Sequence, residues 1–144
     1  MRSIIVSLIA ALIFVACSAG MPKPNTLGPV QTLGGGFIIE SGKLKYGMTY
    51  NAAGHQTPIY GKVEFENPEH GSVPMVVTLG ELDRTKNIIA QSPQFDAIRN
   101  YANYSVTLYI YSDPAMRQLL DTHADQVRFA MPAKLVQQVG IRLL

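Results

Sequence analysis

The chain has 144 residues but only one cysteine and no tryptophan, and its positive and negative charges nearly balance. A single cysteine excludes an intrachain disulfide and a metal site built from several cysteines, so the folded part must be held by its apolar core. Twelve Lys and Arg residues against ten Asp and Glu give a formal net charge of +2. No Lys/Arg cluster forms a basic patch, so we expect no nucleic-acid partner.

The N-terminal apolar run is too short to predict a membrane-spanning helix. Residues 4–16 form a run of 13 residues in which Ser7 is the only polar one, whereas a spanning helix needs about 20. The run follows the positively charged start MRS, as the apolar region of a secretory signal does. We therefore predict that residues 1–16 are an export signal. An uncleaved anchor helix is the alternative.

The only cysteine stands directly after this run. Residues 13–18 (IFVACS) resemble the lipobox of bacterial lipoproteins, in which the cysteine is acylated. The resemblance implies that Cys17 carries a lipid such as palmitate and tethers the mature protein to a membrane. Ser18 in place of Asp is similar to lipoproteins of the outer membrane, so the domain would face the periplasm or the cell surface. The alternative is ordinary cleavage after Ala19, which would release a soluble periplasmic protein.

Residues 18–36 are rich in Gly and Pro and have no periodic apolar pattern, which predicts a linker. A flexible coil of that length would span roughly 24 Å. The Gly run at 34–36 lacks the strand and helix that flank a phosphate-binding loop. The predicted organisation is therefore a signal at 1–16, the lipidated cysteine and linker at 17–36, and one folded domain at 37–144.

The rest of the chain reads mainly as short strands. Alternation places Leu44, Tyr46, Met48 and Tyr50 on one face, and further strands are expected at 60–66, 73–79, 88–90, 103–112, 126–131 and 141–144. Helical turns are expected after Ser92 and Asp113, each followed by Pro, and over 132–139 before Gly140. Short strands with little helix between them predict an antiparallel β-sandwich with one or two short helices.

The segment around Tyr104 resembles the tyrosine corner of immunoglobulin-like and fibronectin-like sandwiches. In that motif, a Tyr at the start of a strand forms a hydrogen bond to the preceding loop. The resemblance implies an immunoglobulin-like arrangement here and a bond from Tyr104 back to the segment that contains Ile98.

The histidines and carboxylates predict neither a metal site nor a catalytic site. A zinc site needs three or four converging ligands, but His55 and His70 lie in separate loops, and we expect both to be exposed. We expect His123 to be half-buried near a helix end. A metal site at His55 and His70, with Glu69 beside it, is the alternative. A pair of catalytic carboxylates could come only from five acidic residues: Glu64, Glu66, Glu69, Glu81 and Asp83. Glu64 and Glu66 share a solvent-facing strand side next to Lys62, which predicts a solubilising stripe rather than a catalytic pair. We therefore predict no enzyme activity and no cofactor.

Residues 41–46 (SGKLKY) resemble the Ser-Gly-x-x-Tyr loop of membrane-bound C-type lysozyme inhibitors. This chain has one extra residue in the loop and lacks the paired cysteines of that family. The resemblance implies an enzyme-inhibitor domain as an alternative function.

Tyr109 and Tyr111 are the candidate binding residues. They share the strand face opposite Val106, Leu108 and Ile110, and tyrosine is enriched where proteins meet partners. The alternative is that both simply pack across the strand, since tyrosine is a good strand former. Our expectation is a lipid-anchored, non-enzymatic envelope protein with a binding or assembly role and a protein partner.

Overall fold

The computed structural model describes residues 23–144. The predicted export signal and Cys17 lie outside the described residues. The described part contains nine strands and one helix: β1 (Gln31–Glu40), β2 (Lys43–Asn51), β3 (Tyr60–Phe65), β4 (Met75–Glu81), β5 (Ile88–Gln91), β6 (Ala97–Ile98), β7 (Ala102–Tyr111), β8 (Leu119–Phe129), α1 (Ala133–Val139) and β9 (Arg142–Leu143).

Two antiparallel sheets form the body of the domain. One has the strand order β1-β2-β5 and the other the order β4-β3-β7-β8, while β6 and β9 form a short parallel pair. Buried and exposed residues alternate along β2 and β3 because one face of each strand is turned toward the opposite sheet. Tyr46 of β2 contacts Phe65 of β3, with ring centroids 5.2 Å apart, across the two layers. The predicted mainly β, antiparallel sandwich is therefore confirmed.

The first strand begins at Gln31, six residues before the predicted start of the domain at Phe37. The glycines at 34–36, assigned to the linker by their composition, pair with residues 47–49 of β2. A Cβ atom on Gly35 would overlap the sulfur of Met48, so this glycine permits a close approach between neighbouring strands. A glycine in a low-complexity run can therefore belong to a strand, and Gly35 leaves the space that the Met48 side chain occupies.

A two-residue turn joins β1 to β2. Ser41 and Gly42 both have positive φ angles, 51° and 76°, as a tight hairpin turn of type I′ requires. These residues begin the motif that resembles the lysozyme-inhibitor loop, and its last residue, Tyr46, is fully buried. The hairpin turn therefore explains the presence of Ser41 and Gly42, and the core explains the presence of Tyr46.

The predicted helix after Asp113 is wrong. The carboxylate of Asp113 accepts hydrogen bonds from the backbone N–H groups of Arg117 and Gln118, at 3.0 and 2.8 Å. The pair Asp-Pro therefore caps a tight turn between β7 and β8, and these bonds hold the pKa of Asp113 below its ordinary value. Leu119, which falls in the segment where the helical turn was expected, is exposed at the start of β8.

The predicted helical turn after Ser92 is also wrong, whereas the last predicted helix is confirmed. Ser92 Oγ accepts a hydrogen bond from the N–H of Tyr46 at 2.9 Å, so Ser92 fastens this segment to β2 instead of capping a helix. Helix α1 ends at Gly140, whose φ of 72° places it in the left-handed region and whose N–H donates to Val136 O.

The hydrogen bond implied by the tyrosine-corner resemblance is present. Tyr104 Oη accepts from the N–H of Arg99 at 2.9 Å and donates to Arg99 O at 3.2 Å. This pair of bonds ties the start of β7 to the segment that contains β6. Burial raises the pKa of the Tyr104 phenol, which favours its protonated, hydrogen-bond-donating form.

Candidate functional site

Tyr109 lies on the outer face of the four-stranded sheet, the side turned away from the three-stranded sheet. In the register of the strands it lies opposite Lys62 of β3 and Thr122 of β8. Its phenol donates to Glu64 Oε2 at 3.4 Å, and the Lys62 ammonium lies 5.4 Å from the centre of its ring. Desolvation raises the pKa of Tyr109, and the negative charge of Glu64 adds to this shift.

Tyr111 does not provide the second exposed aromatic side chain that the alternation predicts. A register shift between Ile110 and Tyr111 interrupts the pairing with β8, and only 8% of Tyr111 is exposed. Of the two predicted surface tyrosines, only Tyr109 therefore remains accessible. Tyr111 packs beneath Lys62, and the Lys62 ammonium lies 5.8 Å from the centre of the Tyr111 ring. We call the surrounding surface the tyrosine face and define it by five residues: Lys62, Glu64, Val76, Tyr109 and Leu119.

A second candidate surface is a concave one. It lies at the end of the sandwich where β2 leads into β3 and β4 leads into β5. The two connecting segments enclose an open cleft of about 890 Å³, which we call the loop cleft. Arg84 Nη1 donates to His55 O at 2.8 Å and so joins the two segments. Most of the lining residues are polar, and they include charges of both signs: Asn51, Ala53, His55, Gln56, Pro58, Glu81, Leu82, Asp83, Arg84 and Thr85.

The two loop histidines do not come together. His55 precedes β3 and His70 follows it, and a six-residue strand separates its ends by roughly 17–20 Å. His70 is exposed as expected, but the His55 side chain is only 12% exposed, and its Nε2 lies 3.7 Å from Asp121 Oδ2. Within residues 23–144, no group of three or more His, Cys, Asp or Glu side chains could hold a metal ion.

His123 belongs to a buried polar cluster that links the N-terminal segment to β8. Thr32 Oγ1 lies 2.7 Å from His123 Nε2 and donates to Asp125 Oδ2 at 2.5 Å. The other carboxylate oxygen accepts from the N–H of Asn25 at 2.8 Å. We call these four residues, Asn25, Thr32, His123 and Asp125, the Asp125 network. The half-buried position expected for His123 near a helix end is wrong, because this residue is 2% exposed within a strand.

The geometry of the Asp125 network differs from that of a catalytic triad. In a catalytic triad the carboxylate orients one ring nitrogen of the histidine, while the other nitrogen takes the proton of the nucleophile. Here the Thr32 hydroxyl donates to the carboxylate itself and contacts His123 Nε2. The side chains of Thr32, His123 and Asp125 are buried, so a substrate has no access to them. The network instead fixes residues 25–32 against the edge of the four-stranded sheet.

The sequence interpretation missed the network because it placed Thr32 in a linker and His123 in a helix. The period-two pattern of buried residues that reveals the strand includes both polar and apolar members: His123, Asp125, Val127 and Phe129. An acidic residue at an inward position of a strand is unusual unless a partner satisfies it. An acidic residue at an inward position of an alternating strand is therefore the sequence feature that could have indicated a buried polar cluster.

Comparison with known proteins adds no assignment: no family model, no curated protein and no solved structure matches this chain. Among the described residues, no helix is both long and apolar enough to cross a membrane.

Proposed function

We propose that the protein is a lipid-anchored, non-enzymatic domain of the bacterial cell envelope, held in the outer membrane through Cys17, and that it binds a protein partner. The position of Cys17 directly after the apolar run supports the anchor. The loop cleft is the observation that carries the binding role. It is open and polar, and it is formed by loops on a rigid sandwich, which is where binding residues most often occur.

The charges of the loop cleft favour a protein segment as its occupant. Glu81, Asp83 and Arg84 follow one another closely along the chain, so the lining offers both signs within a short distance. A partner with the opposite arrangement of charges would gain specificity and a faster association rate. Asp83 accepts two bonds from Thr85, which lower its pKa and hold it ionised.

Metabolic labelling with palmitate tests the anchor. Cells expressing the full chain should incorporate label into a protein that partitions with membranes, and the Cys17→Ala variant should incorporate none because it lacks the acylated sulfur. An unlabelled wild-type protein that is soluble without detergent would refute the anchor. That result would favour the alternative, a soluble periplasmic protein released by ordinary cleavage after Ala19.

Cross-linking in intact cells tests the loop cleft. A photoreactive side chain at Gln56 should capture a specific envelope protein. Glu81→Lys should reduce this capture about tenfold, because reversing one charge in a complementary interface costs on the order of 1.4 kcal/mol or more. Glu40→Lys is the matched control, because Glu40 is exposed in the other sheet at the β1–β2 hairpin. If both charge reversals, or neither, reduced the capture, the loop cleft would not be the contact surface.

A further inference from the structure

The described part of the chain begins on the outer face of the four-stranded sheet. Lys23 lines a shallow depression of about 320 Å³ together with Ser105 and Thr107 of β7 and Gln126 of β8. Two residues later, Asn25 is fixed to β8 through its N–H to Asp125 and its side-chain amide to Ala124 O, at 2.8 and 3.0 Å. The point at which the chain enters the domain is therefore held against this sheet by specific bonds.

The chain between Lys23 and the proposed anchor is short. Five residues lie between Cys17 and Lys23, and the six residue-to-residue steps that they provide can span no more than roughly 20 Å when fully extended. The two sheets of a sandwich lie about 10 Å apart, and each also carries a layer of outward side chains. To turn the three-stranded sheet toward the bilayer, this short segment would have to pass around the edge of the domain. Its length therefore favours the orientation in which the four-stranded sheet faces the membrane.

The tyrosine face is close to this entry point. Tyr109 follows Thr107 by two residues on the same strand, a separation of about 7 Å. The face combines the phenol of Tyr109 and the exposed side chains of Val76 and Leu119 with the ammonium group of Lys62, which lies 3.9 Å from the Glu64 carboxylate of the same face. Tyrosine is enriched at the level of lipid headgroups, and lysine is attracted to anionic lipid phosphates.

We propose that the tyrosine face rests on the phospholipid surface that holds Cys17, with Tyr109 at the level of the headgroups and Lys23 and Lys62 directed toward lipid phosphates. This inference rests on the proposed lipid anchor. It leaves the outer face of the three-stranded sheet directed away from the membrane. It also gives Tyr109, the candidate protein-binding residue of the sequence interpretation, a lipid contact instead.

The absence of tryptophan from the chain allows a direct test. Tyr109→Trp places one fluorophore on the tyrosine face, and Ile89→Trp is the matched control, since Ile89 is 66% exposed on the outer face of the other sheet. The acylated full-length protein is reconstituted into vesicles of phosphatidylethanolamine and phosphatidylglycerol, with or without bromine on the acyl chains. Bromine should quench Tyr109→Trp by about twofold, because aromatic side chains at the interface lie near the acyl chains, and should leave Ile89→Trp nearly unchanged.

The possible outcomes separate this inference from the proposed function. Absence of an acyl group on Cys17, seen in the intact mass, would overturn the lipid anchor and this orientation with it. An acylated protein that floats with the vesicles but shows equal quenching at both positions, or stronger quenching at Ile89→Trp, would overturn the orientation alone. Tyr109 would then be free for a protein partner. Val76→Trp, at an exposed position of the tyrosine face, repeats the measurement without altering Tyr109.

Discussion

Replacing Asp125 by alanine should lower the free energy of unfolding by about 3 kcal/mol, because breaking a buried, charge-assisted network leaves its partners without a hydrogen bond. The carboxylate accepts from the N–H of Asn25 and from the hydroxyl of Thr32, and it lies 3.6 Å from His123 Nε2. The side chains of Thr32 in β1 and of His123 and Asp125 in β8 are buried, so water cannot easily replace the lost acceptor. Urea unfolding of the purified full chain, followed by circular dichroism, measures the loss.

The matched control for this prediction is Asp96→Ala. Asp96 also pairs with a side chain of a distant segment, that of Lys43. The side chain of Asp96 is 57% exposed and that of Lys43 is 50% exposed. Removal of Asp96 should leave the urea midpoint nearly unchanged, because ion pairs in contact with solvent contribute little to stability. Equal losses for Asp125→Ala and Asp96→Ala would show that the Asp125 network contributes no more than a surface ion pair.

A second readout distinguishes the role of the network from a general loss of stability. If Asp125 fixes the N-terminal segment to β8, Asp125→Ala should speed hydrogen–deuterium exchange of the Thr32 N–H, which donates to Asn25 O at 2.8 Å, under conditions in which the rest of the domain stays folded. Gly54 supports the same placement, because a Cβ atom there would lie 2.6 Å from Pro29 O in the same segment. Unchanged exchange of the Thr32 N–H would show that Asn25 is held by other contacts.

The parts of the fold that sequence reasoning predicts well are those determined by local alternation. In β2, β3 and β7 the apolar side chains recur at every second residue, and the structure buries that face. The pattern indicates the buried face because successive side chains of a strand point to opposite sides. The half-buried, outward position of Tyr109 follows from the same rule, whereas the register shift between Ile110 and Tyr111 breaks the alternation.

The features that sequence reasoning missed depend on contacts between distant segments. Gly35 of β1 leaves room for the side chain of Met48 in β2. An Asp-Pro pair such as Asp113-Pro114 occurs both at helix caps and in tight turns, so the sequence alone does not distinguish them. The loop cleft forms only because the β2–β3 and β4–β5 connections lie at one end of the sandwich, and Arg84 then joins them at His55. No local pattern contains the strand order that brings these residues together.

Tyr46→Ala should reduce the free energy of unfolding by about 3–5 kcal/mol, as loss of a large aromatic side chain from a core does. Tyr46 is fully buried at the centre of an aromatic cluster between the sheets. Its ring centroid lies 4.6–6.4 Å from those of four neighbours: Phe37, Phe65, Phe95 and Tyr104. A chain with one cysteine cannot form an intrachain disulfide, so this cluster must supply much of the cohesion between the two layers.

Tyr46→Phe separates the hydrogen bond of this residue from its packing. The phenol donates to Glu66 O at 2.7 Å, and burial raises its pKa far above the ordinary value, so it remains a donor throughout the physiological pH range. Losing only this bond should cost about 1 kcal/mol. Tyr101→Ala is the control for aromatic truncation without burial, since Tyr101 is 62% exposed, and it should cost less than about 0.5 kcal/mol. A loss for Tyr46→Phe as large as that for Tyr46→Ala would mean that the bond to Glu66, rather than the aromatic cluster, holds β2 against β3.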